Sequence, residues 1–200
     1  MTPADAVSGY LAYLRTERRA SRNTLVAYEG DLESLLAFAK NSGIEDDICD
    51  VDLYALRKWL GELARTLAPS SVARRVAAIR SFMRWLLRRK VIPKNPAELL
   101  ATPKVRRPLP TLLSVDAAQQ VVEHPGDTPV GLRDRAVLEL LYGSGLRVSE
   151  LAGLSLAEVD LGGRSVRVIG KGDKERIAPL GKKSVEALEA YRAVRETFRH

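Results

Sequence analysis

The chain has 200 residues, an ordinary apolar share of 46% and charged residues of both signs, so it suits one large globular domain or two small ones. No apolar run nears the roughly 20 residues that cross a bilayer. The opening MTPADAVSGYLAYL also lacks a basic segment followed by an unbroken apolar core, so neither a span nor a secretory signal is expected. A single cysteine, Cys49, excludes an intrachain disulfide, and with only His124 and His200 beside it no zinc site is expected, which fits an unmetallated protein of the reducing cytoplasm.

Helical periodicity runs through the first hundred residues and predicts helices over Pro3–Arg19, Arg22–Asn41, Asp52–Thr66, Pro69–Lys90 and a short Pro96–Ala101. Ser21 and Asn23 are candidate caps for the second, and Ser70 or Ser71 for the fourth. The fourth is the informative one. Val72, Val76, Ile79, Met83 and Leu86 share one face and are expected in the core. Arg80, Arg84 and Arg88 form an i, i+4, i+8 row on another, with Arg74 beside them. Like charges four apart repel by a few tenths of a kcal/mol per pair, a cost that a polyanion would offset. The row therefore suits phosphates along a groove wall. The competing reading is arginines lying over apolar surface with their heads in water.

The charge distribution supports the first reading. Residues 1–110 carry 19 Lys+Arg against 12 Asp+Glu, and residues 111–200 carry 13 of each, so all of the +7 lies in the first half. Residues 74–107 hold 11 basic groups and one acid, Glu98. A stripe this one-sided is the footprint of a nucleic-acid binder, ahead of a merely solvated basic face and, third, an anionic membrane. ATPKVRRPLPTLLS (Ala101–Ser114) follows, with three prolines, three basic groups and no acid. It reads as an extended linker near 103–110, between a helical domain over 1–102 and a second domain over 111–200. Lys104, Arg106 and Arg107 would follow a DNA backbone.

The second domain is expected to start with a helix capped by Ser114 and running to His124, then Leu132–Ser144 and Arg147–Leu154 with a Gly-Ser-Gly break between them. RSVRVIGKGDKERIAPL then changes the period to two. Val166, Val168, Ile177 and Ala178 are its strand residues and Gly170–Asp173 its turn, which predicts a β-hairpin. A helix over Lys183–Phe198 closes the chain. The stretch YGSGLRVSELAGL (Tyr142–Leu154) reads as buried and apolar, yet carries Arg147 and Glu150. Either they form a surface ion pair, or Arg147 points into a cleft and meets a phosphate. Arginine suits that task because its planar fork binds two oxygens and stays charged. Lysine suits proton donation to a leaving oxygen, and Lys171 lies between two glycines at the hairpin tip. Taken alone, GKGDK is more simply a solvated turn, and it lacks the G-x-x-x-x-G-K-[ST] spacing of a phosphate loop.

LYGSGLRVSELAGLSLAEVDL, followed after a 24-residue step from Arg147 to Lys171 by RVIGKGDKERIAPLG, resembles the tyrosine recombinases of the Xer type, in the phage integrase family. NTLVAYEGDL and NPAELLATPKVRRPLP resemble their N-terminal core-binding domain, so the resemblance covers the whole chain. It implies a mainly α fold: a helical SAM-like core-binding domain, then the first part of an α+β catalytic domain with a small β-hairpin or sheet. The implied activity is DNA cleavage and rejoining through a 3′-phosphotyrosyl link, in site-specific recombination of the chromosome-dimer-resolving kind, with no metal or nucleotide cofactor. Arg147 would bind the scissile phosphate, Lys171 would protonate the leaving 5′-oxygen, and Glu150 would support them. Lys174 and Arg176 would add DNA contacts. A second recombinase subunit is the implied partner, within a tetramer.

The family's H-x-x-R box and tyrosine nucleophile have no counterpart here. His200 lies 29 residues after Lys171, and Tyr191, the tyrosine that follows the lysine, reads as a packing or surface residue. The chain as written is thus expected to bind DNA without cutting it and to expose apolar surface on its second domain. A phage or integron integrase, or a non-catalytic DNA-binding regulator, are the alternative readings.

Overall fold

Proline and short polar side chains set where the helices begin. In the computed structural model, which describes residues 1–105, 109, 112–170 and 174–198, helix α1 (Pro3–Thr16) starts on a proline, and the Thr2 hydroxyl accepts the Asp5 N–H at 3.1 Å. Ser21 does the same for α2 (Arg22–Asn41), accepting from Thr24, while Asn23 lies inside the helix. Asp52 caps α3 (Leu53–Leu63) at 2.8 Å and so stands outside it. Each such cap is worth about 1 kcal/mol. Helix α4 (Pro69–Arg88) departs from expectation: its cap residue is Ala68, which offers no side-chain bond, and Ser70 and Ser71 both lie in the first turn. Pro69 sets the start instead, because its φ is already helical and its missing N–H had no partner to lose.

The chain divides into two compact units, Met1–Pro108 and Leu109–His200. In the first, all five apolar residues expected on the inner face of α4 are buried, at 4% exposure or less. Phe82 and Trp85 join them, and Tyr10 of α1 packs against both rings at centroid distances of 5.3 and 5.5 Å. Trp59 of α3 and Leu32 of α2 complete this core. The sequence reading missed a 3₁₀ turn at Ile48–Asp50, which buries Ile48. The expected short helix at Pro96 is a 3₁₀ turn, Pro96–Leu99.

In the second unit Ser114 caps α5 (Val115–Glu123). Helix α6 (Pro129–Gly143) starts three residues before the expected Leu132, because Thr128 caps it and Pro129 opens it. Helix α7 (Val148–Ala152) is short, and α8 (Lys182–Val194) ends in a 3₁₀ turn rather than continuing as α-helix to Phe198. The expected hairpin is present as β2 (Ser165–Ile169) and β3 (Glu175–Pro179), joined by an unforeseen two-residue strand β1 (Val159–Asp160) in an antiparallel sheet of order β1-β2-β3. Val166 pairs with Ala178 and Val168 with Arg176. Directly paired residues share a face. That face buries Val166, Val168 and Ala178 beside Leu140 of α6, while Ile177 stands on the other face, 71% exposed.

Candidate functional site

The stretch Tyr142–Leu154 is not the buried apolar helix its composition suggests. It is the end of α6, a turn and the short α7. Gly145 takes φ +60°, a conformation glycine adopts without strain. The chain then re-enters helix at Val148, with Arg147 as the cap residue. Val148 is 72% exposed, whereas Glu150 is the buried side chain. Turn geometry thus inverts the simple polarity rule.

Glu150 is the hub of the site. Its Oε2 accepts the backbone N–H of Arg147 at 2.8 Å, and its Oε1 accepts from Arg147 Nη1 at 2.8 Å. Arg176 reaches the same carboxylate from β3, through Nη2 to Oε2 at 2.8 Å and Nε to Oε1 at 3.3 Å. These bonds hold the Glu150 carboxyl at about 2, well below the usual glutamate range; the Arg176 guanidinium is the largest cause and the Arg147 N–H the next. The acid is therefore a fixed anion with two arginines against it, which leaves a local excess of one positive charge. The Arg147 side chain is 66% exposed. Of its guanidinium only Nη1 has a hydrogen-bond partner among the described residues. The ion-pair reading of Arg147 holds, on a side chain that is still largely exposed. Gly170, at the end of β2, closes on this cluster; a Cβ there would stand 3.2 Å from Glu150 Oε1. Its N–H donates to Lys174 O at 2.7 Å and ties the two sides of the hairpin together. Lys174 is exposed. Lys171 lies outside the described residues, as do Arg106 and Arg107.

In the first unit the arginine row does not stand out as a set. Arg80 turns back on the chain, donating to Ala97 O at 3.3 Å, Leu100 O at 2.5 Å and Thr102 Oγ1 at 2.8 Å. It fixes the segment after α4, where carbonyls left by a 3₁₀ turn need donors. Arg74 is also engaged, with Asp31 Oδ2 at 2.5 Å and Ala27 O at 3.1 Å. Arg84 is exposed and has no partner among the described residues; Arg88 is exposed and reaches the Tyr13 hydroxyl only at 3.5 Å; Lys104 is exposed. Sequence reasoning missed Asp31, 1% exposed on α2 and flanked by Arg74 and by Arg75 at 3.5 Å. The helical period holds that signal, since Asp31 lies four and seven residues before buried Leu35 and Phe38 on the inner face of α2. Sequence reasoning also missed Arg176 as a partner of Glu150. The strand alternation holds that signal, since 176 has the parity of buried Ala178.

Tyr191 packs rather than standing free: its ring lies 6.1 Å from that of Phe198, and with Leu140, Leu151 and Leu188 it lines an open groove of about 1020 Å³. No helix among the described residues is long and apolar enough to cross a membrane.

Residues 7–90 match the family model for the phage integrase N-terminal SAM-like domain, and residues 111–199 that of the phage integrase family. The chain is 47% identical over 189 residues to tyrosine recombinase XerC of Pelobacter propionicus, covering 94% of this chain and 63% of the relative. It is 46% identical to XerC of Xanthomonas campestris pv. campestris, covering 93% and 58%. The chain thus spans about three-fifths of the length of these relatives. Among solved structures, a Tn1549 transposon integrase in complex with transposon right end DNA superposes with a TM-score of 0.73 at 16% identity, over 99% of this chain and 66% of that one. A lambda integrase dimer bound to a core site gives 0.71 at 18%, over 94% and 68%. At such identities these two speak for the fold alone: helices with a small antiparallel sheet, as the residue patterns led one to expect.

Proposed function

The chain belongs to the phage integrase family as a relative of the Xer-type tyrosine recombinases, and from that premise we propose that it is the DNA-binding and phosphate-orienting part of an enzyme of site-specific recombination. The observation that carries this is Arg147, exposed yet held in place by buried Glu150. An arginine fixed this way needs no reorganisation when charge develops on a phosphate, which is where such donors accelerate phosphoryl transfer. In this reading Arg147 binds the scissile phosphate of double-stranded DNA and Lys171 protonates the leaving 5′-oxygen. A tyrosine from the region these relatives have beyond the matched segment forms the 3′-phosphotyrosyl link. The phosphodiester energy is kept in that bond, so the chemistry calls for no metal or nucleotide cofactor.

The helical first unit serves as the core-binding domain over 1–102, with the basic linker 103–110 leading into the catalytic domain at 111. Arg84, Arg88 and Lys104 meet DNA phosphates directly, with Arg106, Arg107 and Lys174 beside them. Arg74 and Arg80, engaged within the chain, act on DNA through the shape they give α4 and the segment after it. A second recombinase subunit completes the assembly. Resolution of chromosome dimers before cell division, in the cytoplasm, is the process this reading implies.

The test is a chimera in which residues 1–200 replace the matching segment of the Pelobacter propionicus relative. Strand cleavage on a nicked recombination site is expected to leave a covalent protein–DNA adduct. Arg147→Ala and Lys171→Ala should each lower the cleavage rate by roughly 10²–10⁴-fold, as losing an oxyanion donor or a general acid does. Cleavage at the parental rate in both variants would remove the assignment.

A further inference from the structure

We infer that Arg176 is a positioning residue: it clasps the base of the β2–β3 hairpin to the turn and helix that carry Arg147, and does not serve as a DNA contact. The register argues this first. Arg176 pairs with Val168 and has the parity of Ala178, so its side chain starts on the inward face of the sheet, beside buried residues. The side chain there is 38% exposed, and what holds it to the edge is the set of acceptors in its reach. It finds three. Two are the oxygens of Glu150, whose side chain is 1% exposed, and the third is Gly145 O, which Nη2 reaches at 3.1 Å. One guanidinium thus joins β3, the Gly145 turn and α7. The planar fork suits this, since two nitrogens meet two carboxylate oxygens in a fixed plane, which a lysine ammonium cannot reproduce.

The glycines complete the device. Gly170 closes the hairpin by its bond to Lys174 O, and its lack of a side chain admits the backbone close to Glu150. The hairpin base and Arg147 therefore share one carboxylate, and displacing either must disturb the other. Arg167 makes the contrast. It belongs to the same sheet but to the outward face, opposite Ile177, and is exposed.

The inference rests on the phosphate-binding reading of Arg147 only for its purpose; the clasp itself is read without DNA. The ¹⁵N-labelled 200-residue protein is compared with Arg176→Lys, Arg176→Gln and, as control, Arg167→Ala. In both Arg176 variants the Arg147 Nε–Hε resonance is expected to move. The Gly170 amide is expected to exchange about tenfold faster, as local opening does when a tie is cut. Inorganic phosphate should shift the Arg147 resonance with several-fold weaker affinity than in the parent. Arg167→Ala should change none of these. Should the Arg176 variants unfold the second unit, Glu150→Gln, which keeps the side-chain volume, must move the Arg147 resonance in the same way. An unmoved Arg147 in whichever of these variants folds overturns the clasp. So does a DNA-affinity salt slope that falls by about 0.9 in Arg176→Gln with the Arg147 signal intact, the mark of one phosphate fewer being neutralised. Failure of the protein to bind DNA at all, with the resonance changes present, would count against the proposed function and leave the clasp standing.

Discussion

Glu150 is withdrawn from water and yet ionised, because four hydrogen bonds from two arginines replace its hydration. This gives the site a pH dependence of definite sign. The folded-state value, about 2, lies below the ordinary glutamate value of 4.5. The stability it supplies is therefore fully present above 4.5 and lost as pH falls towards 2. The melting temperature of the parent should exceed that of Glu150→Gln at pH 7, and the gap should narrow progressively between about pH 4.5 and the acid limit of the fold. A gap constant across that range would mean the carboxylate is not held by these arginines. Gly145 is the second residue with a sharp expectation. At φ +60° a Cβ is strained by roughly 1–2 kcal/mol. Gly145→Ala should lower stability by about that amount in a denaturant titration, and a neutral result would show that the turn relaxes.

At the scale of the element, α4 illustrates what a helical wheel can and cannot deliver. Its inner face was legible, and Val72, Val76, Ile79, Met83 and Leu86 are all buried. Its outer face was legible only as a row of charges. The wheel places Arg80 and Arg84 on one side, but the partner that distinguishes them, the chain around Ala97–Thr102, returns to α4 only in three dimensions. Arg80→Ala should therefore cost roughly 1.5–3 kcal/mol, the range for hydrogen bonds from a charged group. Arg84→Ala should stay within about 0.5 kcal/mol and weaken DNA binding instead. Equal stability losses in the two variants would contradict the division. The same limit applies in the second unit. Composition marks Arg147 and Glu150 as out of place among apolar neighbours, and that mark is informative. It does not reveal that the acid goes in while Val148 stays out, because that depends on a glycine turn and a five-residue helix. Arg176 is readable from strand parity, but a basic side chain next to a lysine-bearing loop draws the reading towards DNA.

Across the whole molecule the two units differ in how much they enclose. The first buries Tyr10, Trp59, Phe82 and the α4 face in one cluster, while the buried cluster of the second is built on Leu140, Leu146, Val166, Val168, Ala178 and Leu180. The second also carries the open groove lined by Leu140, Leu151 and Leu188. Native-state hydrogen exchange should accordingly find Leu32, Ile79 and Met83 amides more protected than Val166 and Val168. Equal protection throughout would indicate a single cooperative body. The same division sorts the charge: the +7 excess lies in residues 1–110, and the second half is balanced. Affinity for DNA is then expected to come mainly from the first half, and the chemistry from Arg147 and its supports in the second.

The most direct test is the salt dependence of binding to a duplex recombination site by the parent, Arg84→Ala and Arg147→Ala. Log K is expected to fall linearly with log salt concentration. Each variant should flatten the slope by about 0.9, because it neutralises one phosphate fewer and releases one counterion fewer. A slope unchanged in both variants, or binding indifferent to salt, would contradict this expectation.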